Sequence, residues 1–292
     1  MNNKAKDLGK VALGVAMMFG LHWLYAIVLR PYLPFSEAIK GVVGLAVLYG
    51  PGLGLFVLIT KNVSKHPYAH KGKGKVSIKT VFLCFLLQCT AFTILNALTI
   101  ATSVFGGAGS SADTTPMTAS MLFMLLLFNP VVEEFVFRHL FATRLLQHGE
   151  RLYVLASAYC FAVVHGVSVG FVHIIYTFIL GLIWGYLTVK SGNLVLAIVM
   201  HAVSNLFNAV IIQLLLDTSS MNALAAYSLL IAALGVIGLI LFFKNRKEAV
   251  LDDAPGLIDK QAVKDLFTNK GILFYTALTL VAMVLKGVIV SL

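Results

Sequence analysis

Three short patterns in this chain bring together residue types that can hydrolyse an amide. Glu133 and Glu134 are adjacent, with Arg138 four residues after the second; His165 lies four residues after Phe161, and Asn205 four after His201. A carboxylate held in an apolar cavity becomes a stronger base, and an imidazole beside it can position a water for attack. An imidazole and a carboxamide, here His201 and Asn205, can donate hydrogen bonds to the oxyanion formed when water adds to a carbonyl. No serine or cysteine nucleophile stands beside a base, so these types point to glutamate-activated water and a peptide bond. Glu133, His165 and His201 could alternatively hold a zinc ion with its water. The chain lacks the HExxH pattern in which one helix fixes the metal beside a glutamate, so metal-free chemistry is the main expectation and zinc the secondary one.

The elements that must position these groups are membrane helices. Glu133, Glu134 and Arg138 fall inside MTASMLFMLLLFNPVVEEFVFRHLFATRL, where each ionised group costs from about 2.5 to more than 10 kcal/mol if it meets hydrocarbon. Of the twelve acids, only these two are placed at membrane depth, so they should face protein or a water-filled cavity. On a helix Glu134 and Arg138 share a face, whereas Glu133 is turned about 100° away. Glu134 is therefore expected to pair with Arg138 while Glu133 looks into a cavity. Asn129 and Pro130 just precede them, and proline removes a backbone donor, so a new helical segment is expected to begin there.

Composition sets the same frame. Mean hydropathy is +0.92, 59% of residues are apolar and 12% charged, against roughly 25% charged in soluble domains. Apolar stretches near the spanning length of about 20 residues are read at 10–29, 41–60, 80–101, 117–143, 152–168, 173–189, 193–215, 222–243 and 271–291. The fold class expected is an all-α, polytopic membrane helical bundle of eight to nine transmembrane helices, with residues 1–292 as a single integral membrane domain. A catalytic four-helix core is expected over 117–210, and a cytoplasmic linker with a short amphipathic helix over 244–270. Strand-type alternation is absent, which argues against an outer-membrane barrel. Counted from the predicted helix ends at 1.5 Å per residue, Glu133, His165 and His201 reach about 15, 20 and 12 Å, so one pocket could hold all three.

The net charge of +10 does not signal nucleic acid. Eighteen of the 22 Lys and Arg fall in segments on one side of such a bundle, the basic run HPYAHKGKGKVSIK among them, which is the positive-inside pattern. It places the N-terminus in the cytoplasm, and the basic run could also touch anionic lipid. Cys84, Cys89 and Cys160 lie in predicted helices without metal-type spacing and read as buried thiols. The first apolar stretch lacks a convincing cleavage site and reads as a retained helix. Gly181 and Gly185 have the spacing of a helix-packing face, and Lys286 reads as a lysine snorkelling to the interface.

Taken together, Glu133-Glu134-xxx-Arg138, Phe161-xxx-His165 and His201-xxx-Asn205, in this order, resemble the three signatures of the CPBP intramembrane proteases. This family is also called the CAAX protease and bacteriocin-processing, or Abi, family, and includes the Rce1-type prenyl-protein proteases. The resemblance covers about residues 117–210. It implies an intramembrane glutamic endopeptidase with Glu133 as general base, His165 helping to hold the water, His201 and Asn205 as oxyanion site, and Glu134 with Arg138 supporting the pocket. Phe161 would shape the pocket wall. It further implies a peptide or membrane-protein substrate, either a prenylated CaaX protein or a bacteriocin- or pheromone-type peptide, in a cell membrane, with a bacterial plasma membrane the leading expectation. Two readings from other classes remain: a non-catalytic immunity or scaffold protein using the polar residues for packing, and a proton-coupled transporter using them as a relay.

Overall fold

The computed structural model describes residues 3–67, 76–104, 117–218, 220–249, 251 and 259–291. Most of the basic run (68–75), the loop at 105–116 that contains Asp113, and the middle of the 244–270 segment (252–258) lie outside the described residues.

A chain with so little charge must satisfy its backbone internally, and helices are one of the two ways to do so in a bilayer. Among the described residues nine helices are long and apolar enough to cross a membrane, and no strand occurs. They are α1 (Asn3–Tyr32), α2 (Glu37–Ile59), α3 (Ile78–Val104), α4 (Ala119–His148), α5 (Glu150–Val169), α6 (Phe171–Ser191), α7 (Val195–Asp217) and α8 (Met221–Asn245). After the short α9 (Lys260–Phe267), capped by the Asp259 carboxylate, comes α10 (Lys270–Ser291). The protein is an integral, multi-pass membrane protein. Several helices outrun their apolar stretches: α1 starts at Asn3 because its polar first turns are held by protein, Lys4 pairing with Asp265 of α9 and Asp7 with His148 at 2.9 Å.

α5 is the most enclosed span, with 72% of its apolar window buried. Gly170, at φ 94°, turns the chain from α5 directly into α6, and the two run antiparallel. A Cβ on Gly181 would lie 2.8 Å from the Ala158 Cα, so only glycine allows this approach. α1 lies against α2 and α10, and α3 supports both α6 and α8. α8 carries lipid-type side chains outward, among them Leu229 and Ile240.

Contacts between helix ends define two faces. The first turns of α1, the last turn of α4 and α9 meet on one; the end of α5 and Lys286 meet on the other. Here the snorkelling expectation for Lys286 is corrected. Its Nζ donates to the carbonyls of Val167 (2.8 Å) and Ser168 (3.0 Å). The last carbonyls of α5 have no helical donors and carry the negative end of the helix dipole, which binds the ammonium more closely than a headgroup layer would.

Candidate active site

The site begins with a backbone irregularity in α4. Met124–Phe128 is wound as a π-helix, and the Asn129 N–H reaches back to the Met124 carbonyl. The next donor in that register would be residue 130 bonding to Leu125, but Pro130 has no N–H. Asn205 of α7 fills the gap: its Nδ2 donates to the Leu125 carbonyl at 2.8 Å. One amide N–H of Asn205 is thus committed to α4, and one is left over. A second π-helical stretch, Phe135–Leu140, follows the two glutamates. Inserted turns of this kind sit often at functional sites.

Glu134 and Arg138 are both fully buried, with Arg138 Nε 3.1 Å from Glu134 Oε2. The N–H is not aimed along a hydrogen-bond line, so the contact is an ion pair rather than a bidentate fork. The guanidinium lies between aromatic faces, 4.5 Å from the Phe161 ring and 5.3 Å from Trp184, and reaches the Gly181 carbonyl at 3.4 Å. The other carboxylate oxygen of Glu134 meets His201 Nδ1 at 2.9 Å. Glu134 is therefore shared between Arg138 and His201, a partner that helical spacing within α4 does not disclose.

Glu133, turned away as the helical angle requires, keeps 22% of its side chain exposed. Its Oε2 stands 3.8 Å from His165 Nε2 and 3.9 Å from His201 Nε2. Both rings are oriented from behind. His165 Nδ1 lies 2.6 Å from the Phe161 carbonyl, which can only accept, so that nitrogen carries a proton; His201 Nδ1 donates to the Glu134 carboxylate. The two Nε2 atoms are thereby left facing Glu133. Phe161 touches both imidazoles, at 4.5 and 6.0 Å between ring centres.

The donor set can be measured against zinc. Tetrahedral zinc with ligands at about 2.0–2.2 Å draws its ligand atoms to about 3.3 Å from one another, shorter than the two separations here. Among the described residues no group of three His, Cys, Asp or Glu stands close enough for a metal. The contacts that hold both Nδ1 atoms, to the Phe161 carbonyl and the Glu134 carboxylate, are of the kind that orient metal-binding imidazoles, but the spacing of the donors suits a hydrogen-bonded water better.

Two features escaped the sequence reading. Trp184 stacks on His201 with ring centres 4.1 Å apart and planes 18° from parallel, and so closes the ring's rear face; as one of two tryptophans in the chain it offered only a compositional hint. Ser204 and Asn208 extend the polar face of α7 and bond to the Tyr176 hydroxyl, at 3.2 and 2.6 Å. Their helical spacing from His201 was the available signal.

An all-helical membrane bundle that buries an acid–arginine–imidazole cluster behind a partly open carboxylate is the class this protein falls in. Residues 115–207 match the family model described as Rce1-like, type II CAAX prenyl endopeptidase. The match runs from just before α4 into α7, covers Glu133, Glu134, Arg138, His165, His201 and Asn205, and supports a CPBP/Rce1-like assignment for that segment. That assignment implies a protease acting on peptide or protein substrates from within the membrane. Neither the curated proteins nor the solved structures give a match.

Proposed function

We propose that the protein is an intramembrane endopeptidase in which Glu133 activates water. The observation that carries this reading is the convergence of Glu133 Oε2 with two Nε2 atoms whose rings are each held from behind. A water with hydrogen bonds of about 2.8 Å can bridge Glu133 and His165 across 3.8 Å. One of its protons goes to the Glu133 carboxylate and the other is held by the His165 Nε2 lone pair. Its oxygen bonds to the scissile carbonyl carbon, and negative charge moves to the carbonyl oxygen. We assign the oxyanion to the second N–H of Asn205 and to His201, whose Nε2 donates only when the ring is an imidazolium; the Glu134 carboxylate on Nδ1 is the counter-charge such a ring requires. On collapse the C–N bond breaks, Glu133 returns its proton to the leaving nitrogen, and a carboxylic acid, which keeps the water's other proton, and an amine remain.

The substrate we infer is a small peptide or membrane-associated protein entering laterally, since Glu133 is partly open at a depth that lipid surrounds. CaaX-type cleavage of a prenylated C-terminus is a second reading, favoured by the description of the matching family. The lysine distribution supports a cytoplasmic N-terminus. The test compares purified wild type with Glu133→Gln and His165→Ala on a peptide library that includes prenylated CaaX peptides, with product masses read with and without chelator. Cleavage by wild type that survives chelation and is lost in both variants is expected. Cleavage retained by Glu133→Gln would refute the assignment of the base, and chelator-sensitive cleavage would refute the metal-free chemistry.

A further inference from the structure

A second polar–apolar arrangement lies behind the site and is not used by the hydrolytic chemistry. α6 and α8 both pack on α3, and between them runs a groove of about 480 Å³, within the size of small-molecule sites, roughly 300–1,000 Å³. α8 is drawn onto α3 at Gly238, where a Cβ would lie 2.7 Å from the Leu86 backbone. That contact fixes one edge of the groove. Its walls are aliphatic, with Leu83 and Leu87 from α3, Ile179 and Ile183 from α6, and Leu239 from α8.

The groove carries its charge at one end; farther along, the Thr90 hydroxyl is turned onto the Leu86 and Gly235 carbonyls. Lys79, Thr80 and Asn245 line the charged end, and Lys79 Nζ reaches Asn245 Oδ1 at 3.4 Å. Lys190 lies over the ring of Tyr186, itself a lining residue, at 5.8 Å. Two cations therefore flank the mouth, at the helix ends on the lysine-rich face. From Thr80 to Ile94, which also lines the groove, α3 rises about 21 Å. This is longer than one leaflet of a hydrocarbon core of about 30 Å, so a whole acyl chain fits along it. Basic pockets between membrane helices suit anionic headgroups.

We propose that this groove is a binding site for an anionic phospholipid, with one acyl chain between α6 and α8 and its phosphate at Lys79 and Lys190. An aliphatic slot alone would take any lipid tail. The two lysines at its charged end select the charge of the head.

The experiment is native mass spectrometry of the whole protein in detergent micelles, titrated with phosphatidylglycerol or with phosphatidylcholine of the same chains. One phosphatidylglycerol is expected to bind at a concentration at least roughly fivefold lower than phosphatidylcholine, the selectivity one lysine near the headgroup supplies. Lys79→Gln with Lys190→Gln should erase that preference, and Ile179→Trp, which fills the slot, should suppress both adducts. Leu239→Trp repeats the filling from the α8 side should Ile179→Trp unfold; should both unfold, the lysine pair decides. Equal binding of the two lipids by wild type would overturn the proposal, as would an undiminished preference in the lysine double variant. Competition by free glycerol phosphate at millimolar concentration would also overturn it, by assigning the lysines to a soluble phosphate.

Discussion

Replacing the buried partners of α4 one at a time and then together tests whether they form one electrostatic unit. Glu134 and Arg138 each have 0% side-chain exposure, so Glu134→Leu leaves a guanidinium and Arg138→Met leaves a carboxylate without its partner at membrane depth. Breaking a buried pair in this way costs about 3–5 kcal/mol. At roughly 2–4 °C per kcal/mol for larger domains, each single change should lower the thermal midpoint by about 6–20 °C. Exchanging both members for apolar groups of similar volume is often neutral or stabilising. The double variant should therefore cost no more than either single, a coupling of at least about 3 kcal/mol, at the upper limit of what is seen for groups in contact. Cys84, Cys89 and Cys160 are all free and buried, so a dye that fluoresces on reacting with thiols reports unfolding directly in detergent. The double variant should fold but cleave poorly, because His201 Nδ1 has lost the Glu134 oxygen that aims its ring. Costs of the singles that simply add in the double would refute the shared unit. A double variant with wild-type turnover would refute the orienting role of Glu134.

The other predictions separate holding from reacting. Asn205→Ala strands the Leu125 carbonyl and should cost about 1–3 kcal/mol; adding Pro130→Ala, which restores an N–H to that turn, should recover the thermal midpoint but not the cleavage rate. Trp184→Phe shrinks the surface stacked on His201, worth about 0.5–1.5 kcal/mol, and should slow turnover about two- to twelvefold with little change in apparent substrate affinity. Lys286→Met removes the cation on the last carbonyls of α5 and should lower stability by about 0.3–1 kcal/mol, with the cleavage pattern by mass spectrometry unchanged.

Much of this protein is written in one dimension. Nine runs of low charge and spanning length, without the alternation of a barrel strand, leave helices as the way to satisfy the backbone in lipid, so the pattern of hydropathy reports the spans; their ends are harder to read, because α1 continues through Lys4 and Asp7 on the strength of partners in α4 and α9. The burden of charge in hydrocarbon likewise marks Glu133, Glu134 and Arg138, and a 100° step per residue separates the two glutamates before any tertiary contact is known. What the local sequence could not hold is which atoms meet across helices. His201 is oriented by Glu134, 67 residues away; Asn205 mends a backbone gap that Pro130 opens in another helix; Lys286 closes the end of α5, 119 residues distant; and Trp184 backs an imidazole from α6. Residue type, period and hydropathy decide that such groups must be satisfied inside the protein. Which partner satisfies them depends on how the helices rotate and pack, because hydrogen bonds and ion pairs act over about 3 Å, a precision no linear spacing carries between separate helices.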